Sequence, residues 1–206
     1  MSFPDFYSQA PRIVVRDALG QFLGATSNGL IEYEYVDAVR LAGHSCPTVA
    51  GAYLATRAAL KALYPDSTPE RGQIAVRLPA PVTEGVMGVI AQICTLLTGA
   101  AAEGGFKGLA GRFRRAGLLA FAPEGESNDG GILFKRLDNG KAVSVVVDAS
   151  TAPISAQQRE HMGPAISGTA TAEEQKVFAN AWQARVAVLL TELADDPNTV
   201  QVRRLN

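Results

Sequence analysis

The stretch Cys46-Pro47-Thr48-Val49-Ala50-Gly51-Ala52-Tyr53-Leu54-Ala55-Thr56-Arg57-Ala58-Ala59-Leu60-Lys61-Ala62-Leu63 decides how the rest of the chain has to fold. Pro47 suits the first position of a helix, where its missing N–H costs nothing. From there Val49, Tyr53, Leu60 and Leu63 fall on one helical face. Alanines fill positions 50, 52, 55, 58, 59 and 62, which predicts close packing against another element or another chain. Tyr64-Pro65 ends the helix.

On the N-terminal side, residues 13–15 read as a short strand. Residues 30–35 alternate apolar and acidic side chains, the pattern of a half-buried strand, and 37–42 read as a short helix. On the C-terminal side, 73–78 read as a strand that Pro79 and Pro81 end. A second helix is expected over 83–97, capped by Thr83, with Glu84 in its first turn and Gly99 at its exit. Its inner face is Val86, Ile90, Ile93 and Leu97. A short strand at 118–121 and a polar loop at 124–131 follow. The runs 132–137 and 141–147 flank Asp138-Asn139-Gly140, and Asn-Gly between two such runs signals a hairpin. The last helix is expected over 172–194, with Phe178, Trp182, Leu189 and Leu193 inward, and a terminal strand over 199–205. Helices separated by single strands, then a hairpin, predict an α+β fold with a mixed sheet packed against long helices, as a single domain over residues 1–206.

Composition narrows the function classes. With 206 residues, 47% of them apolar, the chain can bury a proper core. A net charge of -1 and no strongly basic region argue against a nucleic-acid partner. The first residues lack the charged and apolar regions of a secretory leader. The longest apolar stretch, 85–102, is interrupted by Gln92, Cys94, Thr95 and Thr98 and reads as a buried helix, not a membrane span. Two cysteines, Cys46 and Cys94, make neither a disulfide framework nor a four-cysteine zinc site. They fit a cytoplasmic protein with reduced thiols.

The chemistry concentrates at Gly43-His44-Ser45-Cys46-Pro47. A thiol at a helix N-terminus meets the positive end of the helix dipole and free backbone N–H groups, which favour thiolate. Thiolate binds metals and attacks electrophiles. Imidazole is a matching ligand for zinc, nickel or iron(II). An extended backbone would let side chains two residues apart point to one side. The competing reading is a capping position with a half-buried thiol.

The run from Gly43 to Tyr53, GHSCPTVAGAY, resembles the signature of the formylmethanofuran dehydrogenase E-subunit family, a His-Gly-His-x-Cys-Pro-Gly motif heading a long helix. Leu97-Thr98-Gly99 and Glu103-Gly104-Gly105-Phe106-Lys107-Gly108 resemble that family's second conserved segment. The likeness spans about 39–121, leaving the C-terminal hairpin and helix, about 131–206, outside it. It implies an α+β core that forms a homodimer, with a metal beside the His-x-Cys motif. Many relatives are stand-alone bacterial proteins. The chain departs from the pattern where Ala42 replaces the first histidine, Thr48 a glycine and Ala100 a cysteine. The cysteines of the family's C-terminal zinc finger are missing. The resemblance therefore carries over His44 and Cys46 alone, which implies an open metal site.

Other candidates are weighed against plainer roles. His161, the only other histidine, lies in an expected short surface helix at 157–163 and is a third candidate ligand. Cys94 reads as core, or as a redox partner of Cys46. The glycine-rich stretch 98–115 is not a Walker A loop. Its Gly104 and Gly105 suit either an anion cradle or tight packing. Glu103 and Lys107 are candidates for an acid or base. Tyr53 and Trp182 read as core, and Arg112, Arg114 and Arg115 as a solvated face. The expected function is a metal-binding protein with an open site at His44 and Cys46, holding a divalent metal, zinc before nickel or iron. A small-molecule or anionic ligand is a possible partner. The alternatives are a dimeric accessory or ligand-binding protein, or a metal-free thiol enzyme using Cys46.

Overall fold

A computed structural model describes residues 3–126 and 130–205. The central helix is α3, Pro47–Leu63. Cys46 is its N-cap and Pro47 opens it. Val49, Tyr53, Leu60 and Leu63 are all buried. The alanines at 50, 52, 55 and 59 are buried too, because α3 sits in the middle of the molecule. Of the two kinds of packing that these alanines allowed, the one observed is packing within the chain.

Two mixed sheets flank this helix. The first has the order β2-β1-β3, with β1 at Ile13–Asp17, β2 at Leu30–Tyr33 and β3 at Glu70–Arg71. The second has the order β5-β4-β6-β7-β8: β4 is Ile74–Leu78, β5 Leu119–Phe121, β6 Ile132–Arg136, β7 Ala142–Val147 and β8 Val200–Leu205. Pairing is antiparallel except for β1 with β3 and β4 with β5. The inner face of the larger sheet carries Ile74, Val76, Leu78, Phe134, Val143 and Val145, all buried. Burying one such side chain contributes about 1.5–3 kcal/mol. A Cβ on Gly51 of α3 would lie 3.6 Å from Val147, so helix and sheet approach at ordinary van der Waals contact. The α+β expectation holds, with two sheets where one was expected.

The remaining helices are α1 (Ala18–Phe22), α2 (Tyr35–Ala42), α4 (Met87–Thr98), α5 (Ala156–Ser167) and α6 (Ala172–Thr191). No helix is expected at α1, α6 ends three residues short of the expected 194, and α2, α4 and α5 also differ from expectation. α2 starts two residues early, because Glu34 and Asp37 form a reciprocal capping box. α4 starts four residues late, at Met87. Residues 81–87 make two successive turns, Glu84 N–H to Pro81 O and Met87 N–H to Glu84 O, and Gly85 has φ +51, which no right-handed helix accommodates. Thr83 therefore caps nothing. α5 is longer than the expected 157–163 and packs along α6. The hairpin at Asp138-Asn139-Gly140 forms as expected. The polar loop expected at 124–131 lies partly outside the described residues. No helix among the described residues is long and apolar enough to cross a membrane.

Candidate functional site

The turn joining α2 to α3 is fixed from several sides. Gly43 ends α2 in the left-handed region. The Ser45 hydroxyl is 2.9 Å from the Tyr35 hydroxyl, and Tyr35 is fully buried between Tyr7 and Tyr53. The Ser45 carbonyl accepts from Trp182 Nε1 at 3.0 Å and Gln183 Nε2 at 3.1 Å. Trp182 thus does more than pack: α6 holds the turn by its backbone. Burial pushes the Tyr35 phenol far above its ordinary range, against the lowering effect of the Ser45 hydrogen bond, so Tyr35 stays protonated.

On this frame the two candidate donors have different surroundings. Cys46 is half-buried, and its sulfur accepts Val49 N–H at 3.5 Å. His44 is exposed, with Nδ1 3.0 Å from Ala42 O. A carbonyl only accepts, so Nδ1 carries the proton in the neutral ring and Nε2 keeps its lone pair. Metal-ligating histidines have this posture, one nitrogen tied to a backbone carbonyl and the other free. The His44 and Cys46 side chains are each bonded to backbone, not to one another.

His161 does not join them. It is half-buried on α5, close enough to Glu174 of α6 to help hold that carboxyl below its usual range, behind the larger effects of the Thr171 N–H and hydroxyl. Among the described residues no group of three or more His, Cys, Asp or Glu side chains is placed to hold a metal ion. A closed centre therefore does not fit these residues. Cys94 is fully buried against Thr56, 3.6 Å away, and burial pushes its thiol up to about 12. Thr56 stands ten residues along α3 from Cys46, about 15 Å of helix. Cys94 is core.

The glycine-rich loop after α4 folds back on itself through Ala101 and Ala116. A Cβ on Gly105 would lie 2.5 Å from Ala101 Cβ, so this glycine serves close packing. Glu103, Gly104 and Lys107 are exposed. Gly104 and Gly105 share a cleft with Leu41, three residues before His44. Of the expected solvated face, Arg112 and Arg114 are exposed, but Arg115 is 8% exposed. Its Nη2 donates to Asp17 Oδ1 at 2.7 Å, and Arg71 Nη1 donates to Asp17 Oδ2 at 2.7 Å. Arg71 also donates to the carbonyls of Thr95 and Leu96 at the end of α4. Asp17 in turn accepts from Leu19 N–H and Gly20 N–H. Burial pushes the Asp17 carboxyl up. The Arg71 hydrogen bond, the Gly20 N–H and both guanidinium charges outweigh it and hold the group below the usual carboxylate range. Sequence reasoning misses this cluster, since its members come from positions 17, 71 and 115 with no local motif to link them.

A second feature adjoins the turn. A largely apolar cavity of about 250 Å³ opens at Pro47 and Thr48, immediately after Cys46. Gly51, Ala52 and Ala55 of α3 leave it open against Ile90 of α4 and Val145 of β7. No protein-family model and no curated protein matches the chain.

Proposed function

We propose that the turn from His44 to Cys46 is an open, two-donor site for a divalent transition metal, zinc before nickel or iron(II). The observation that supports this best is the His44 ring, whose Nδ1 is tied to Ala42 O while the ring stays exposed. This leaves Nε2 available two residues from a sulfur at a helix N-terminus. The resemblance of the motif to the formylmethanofuran dehydrogenase E-subunit family points the same way.

Two donors leave at least two positions of a tetrahedral zinc site unfilled. Water, a small ligand in the adjoining cavity or a second copy of the chain supplies them, so a homodimer belongs to this reading. In it His44 and Cys46 bind and orient the ion, and the hydrogen bonds to Ser45 keep the turn from shifting. A metal-free thiol enzyme fits less well, because His44 is not bonded to the sulfur it would have to activate.

Metal analysis by mass spectrometry on wild type, Cys46→Ser and His44→Ala tests the reading. Stoichiometric metal in wild type, lost in both variants, is expected. A metal-free wild type with its fold intact, after exposure to zinc, overturns it.

A further inference from the structure

The cleft between α2, α4 and the glycine-rich loop holds about 570 Å³, within the usual range for small-molecule sites. Its walls are apolar, from Leu41, Val82, Ala91, Leu119 and Phe121, and among the described residues Arg71 is the single charged one lining it. Gln92 and Thr95 add a carboxamide and a hydroxyl.

Charge does not balance around Arg71. One carboxylate, Asp17, faces two guanidiniums, Arg71 and Arg115. The neighbouring Glu70 carboxylate is set against Arg16 at 3.5 Å, which cancels that pair. The α4 carbonyls that Arg71 engages count for about half a negative charge. Roughly half a positive charge is left over. The Arg71 side chain is 20% exposed, so this surplus is poorly screened by water and acts at short range across an apolar surface.

We propose that this cleft binds a small amphipathic anion, its charged head toward Arg71 and its apolar body along the walls. Arg71 already donates to Asp17, Thr95 and Leu96, so it acts on the head through its charge. Gln92 and Thr95 offer the hydrogen bonds. The cleft is separate from the His44–Cys46 site, and the two readings stand or fall independently.

Calorimetric titration with octanoate and with 1-octanol tests the proposal. Octanoate should bind at least about tenfold more tightly than the alcohol of equal length, and added salt should narrow the gap. Arg71→Met is the direct variant but removes a partner of Asp17 and risks the fold. Gly88→Leu avoids that risk. Gly88 lines the cleft on α4, a Cβ there meets nothing within 4 Å, and replacing a helical glycine favours the helix. Gly88→Leu should keep the fold by circular dichroism and abolish octanoate binding. Three results overturn the proposal: equal binding of acid and alcohol, octanoate binding that survives Gly88→Leu, or self-association in light scattering that Gly88→Leu removes. The last would give the cleft to a second copy.

Discussion

Two polar constellations in this chain are both held rigidly, and they differ in what they leave unsatisfied. Around Asp17 the carboxylate accepts from Arg71, Arg115 and two backbone N–H groups, and Arg71 fastens the end of α4 to the smaller sheet. At the His44–Cys46 turn Trp182 and Gln183 fasten the Ser45 backbone and Tyr35 its hydroxyl. Among the described residues the half-buried Cys46 sulfur accepts Val49 N–H alone, and His44 is exposed with only Nδ1 bonded. A buried carboxylate filled by partners within the chain holds the fold together, even where a guanidinium beside it keeps surplus charge. On the proposed reading, the rigid turn serves to bind a metal ion. Removing part of the first should therefore cost stability, and removing part of the second should cost ligand.

The largest effect expected is from Asp17→Ala, which strands two arginines in a mostly dry site and should lower unfolding stability by about 3–5 kcal/mol in urea titrations at neutral pH. Gly72→Ala comes next. An added Cβ would lie 1.0 Å from Arg115 Nη1 at φ +84, so Arg115 must leave Asp17, and the loss should be about 3 kcal/mol. Acid should act through the same group. The folded-state Asp17 carboxyl titrates below its unfolded value, so its contribution is present above about pH 4. That contribution is lost as pH falls through the depressed folded value. Wild type should lose stability over that window, and Asp17→Ala should show a shallower acid slope. The smallest effect is expected at the other constellation. Cys46→Ser keeps an N-cap acceptor and should change stability by no more than about 0.5 kcal/mol. A loss as large as that of Asp17→Ala would mean that the turn, too, is structural.

Periodicity made most of this fold legible. The α3 face, the alternation in β2, the hairpin at Asn139-Gly140 and the long α6 all follow from local pattern, because burial repeats at the period of the element. What failed to show was set by distant partners. Arg115 reads as solvated beside Arg112 and Arg114, and only Asp17, 98 positions away, draws it inside. The late start of α4 depends on two turns that Thr83 and Glu84 disguise as a helix cap. At the candidate site, His44 and Cys46 were visible as a motif. The hold of Trp182 and Gln183 on Ser45 was not, since Trp182 carries the apolar periodicity of a core residue and its N–H partner lies 137 positions away. His161 shows the converse: residue type alone suggested a ligand, and its place on α5 beside Glu174 keeps it apart from the turn.

The central claim is that Cys46 and His44 are donors for an exogenous metal ion. Cobalt(II) titration tests it most directly, because a thiolate bound to cobalt gives a charge-transfer absorption that a serine cannot. The expected result is a saturable band in wild type that weakens in His44→Ala and vanishes in Cys46→Ser, with folding unchanged. Folded wild type that shows no such band at any cobalt concentration would contradict it.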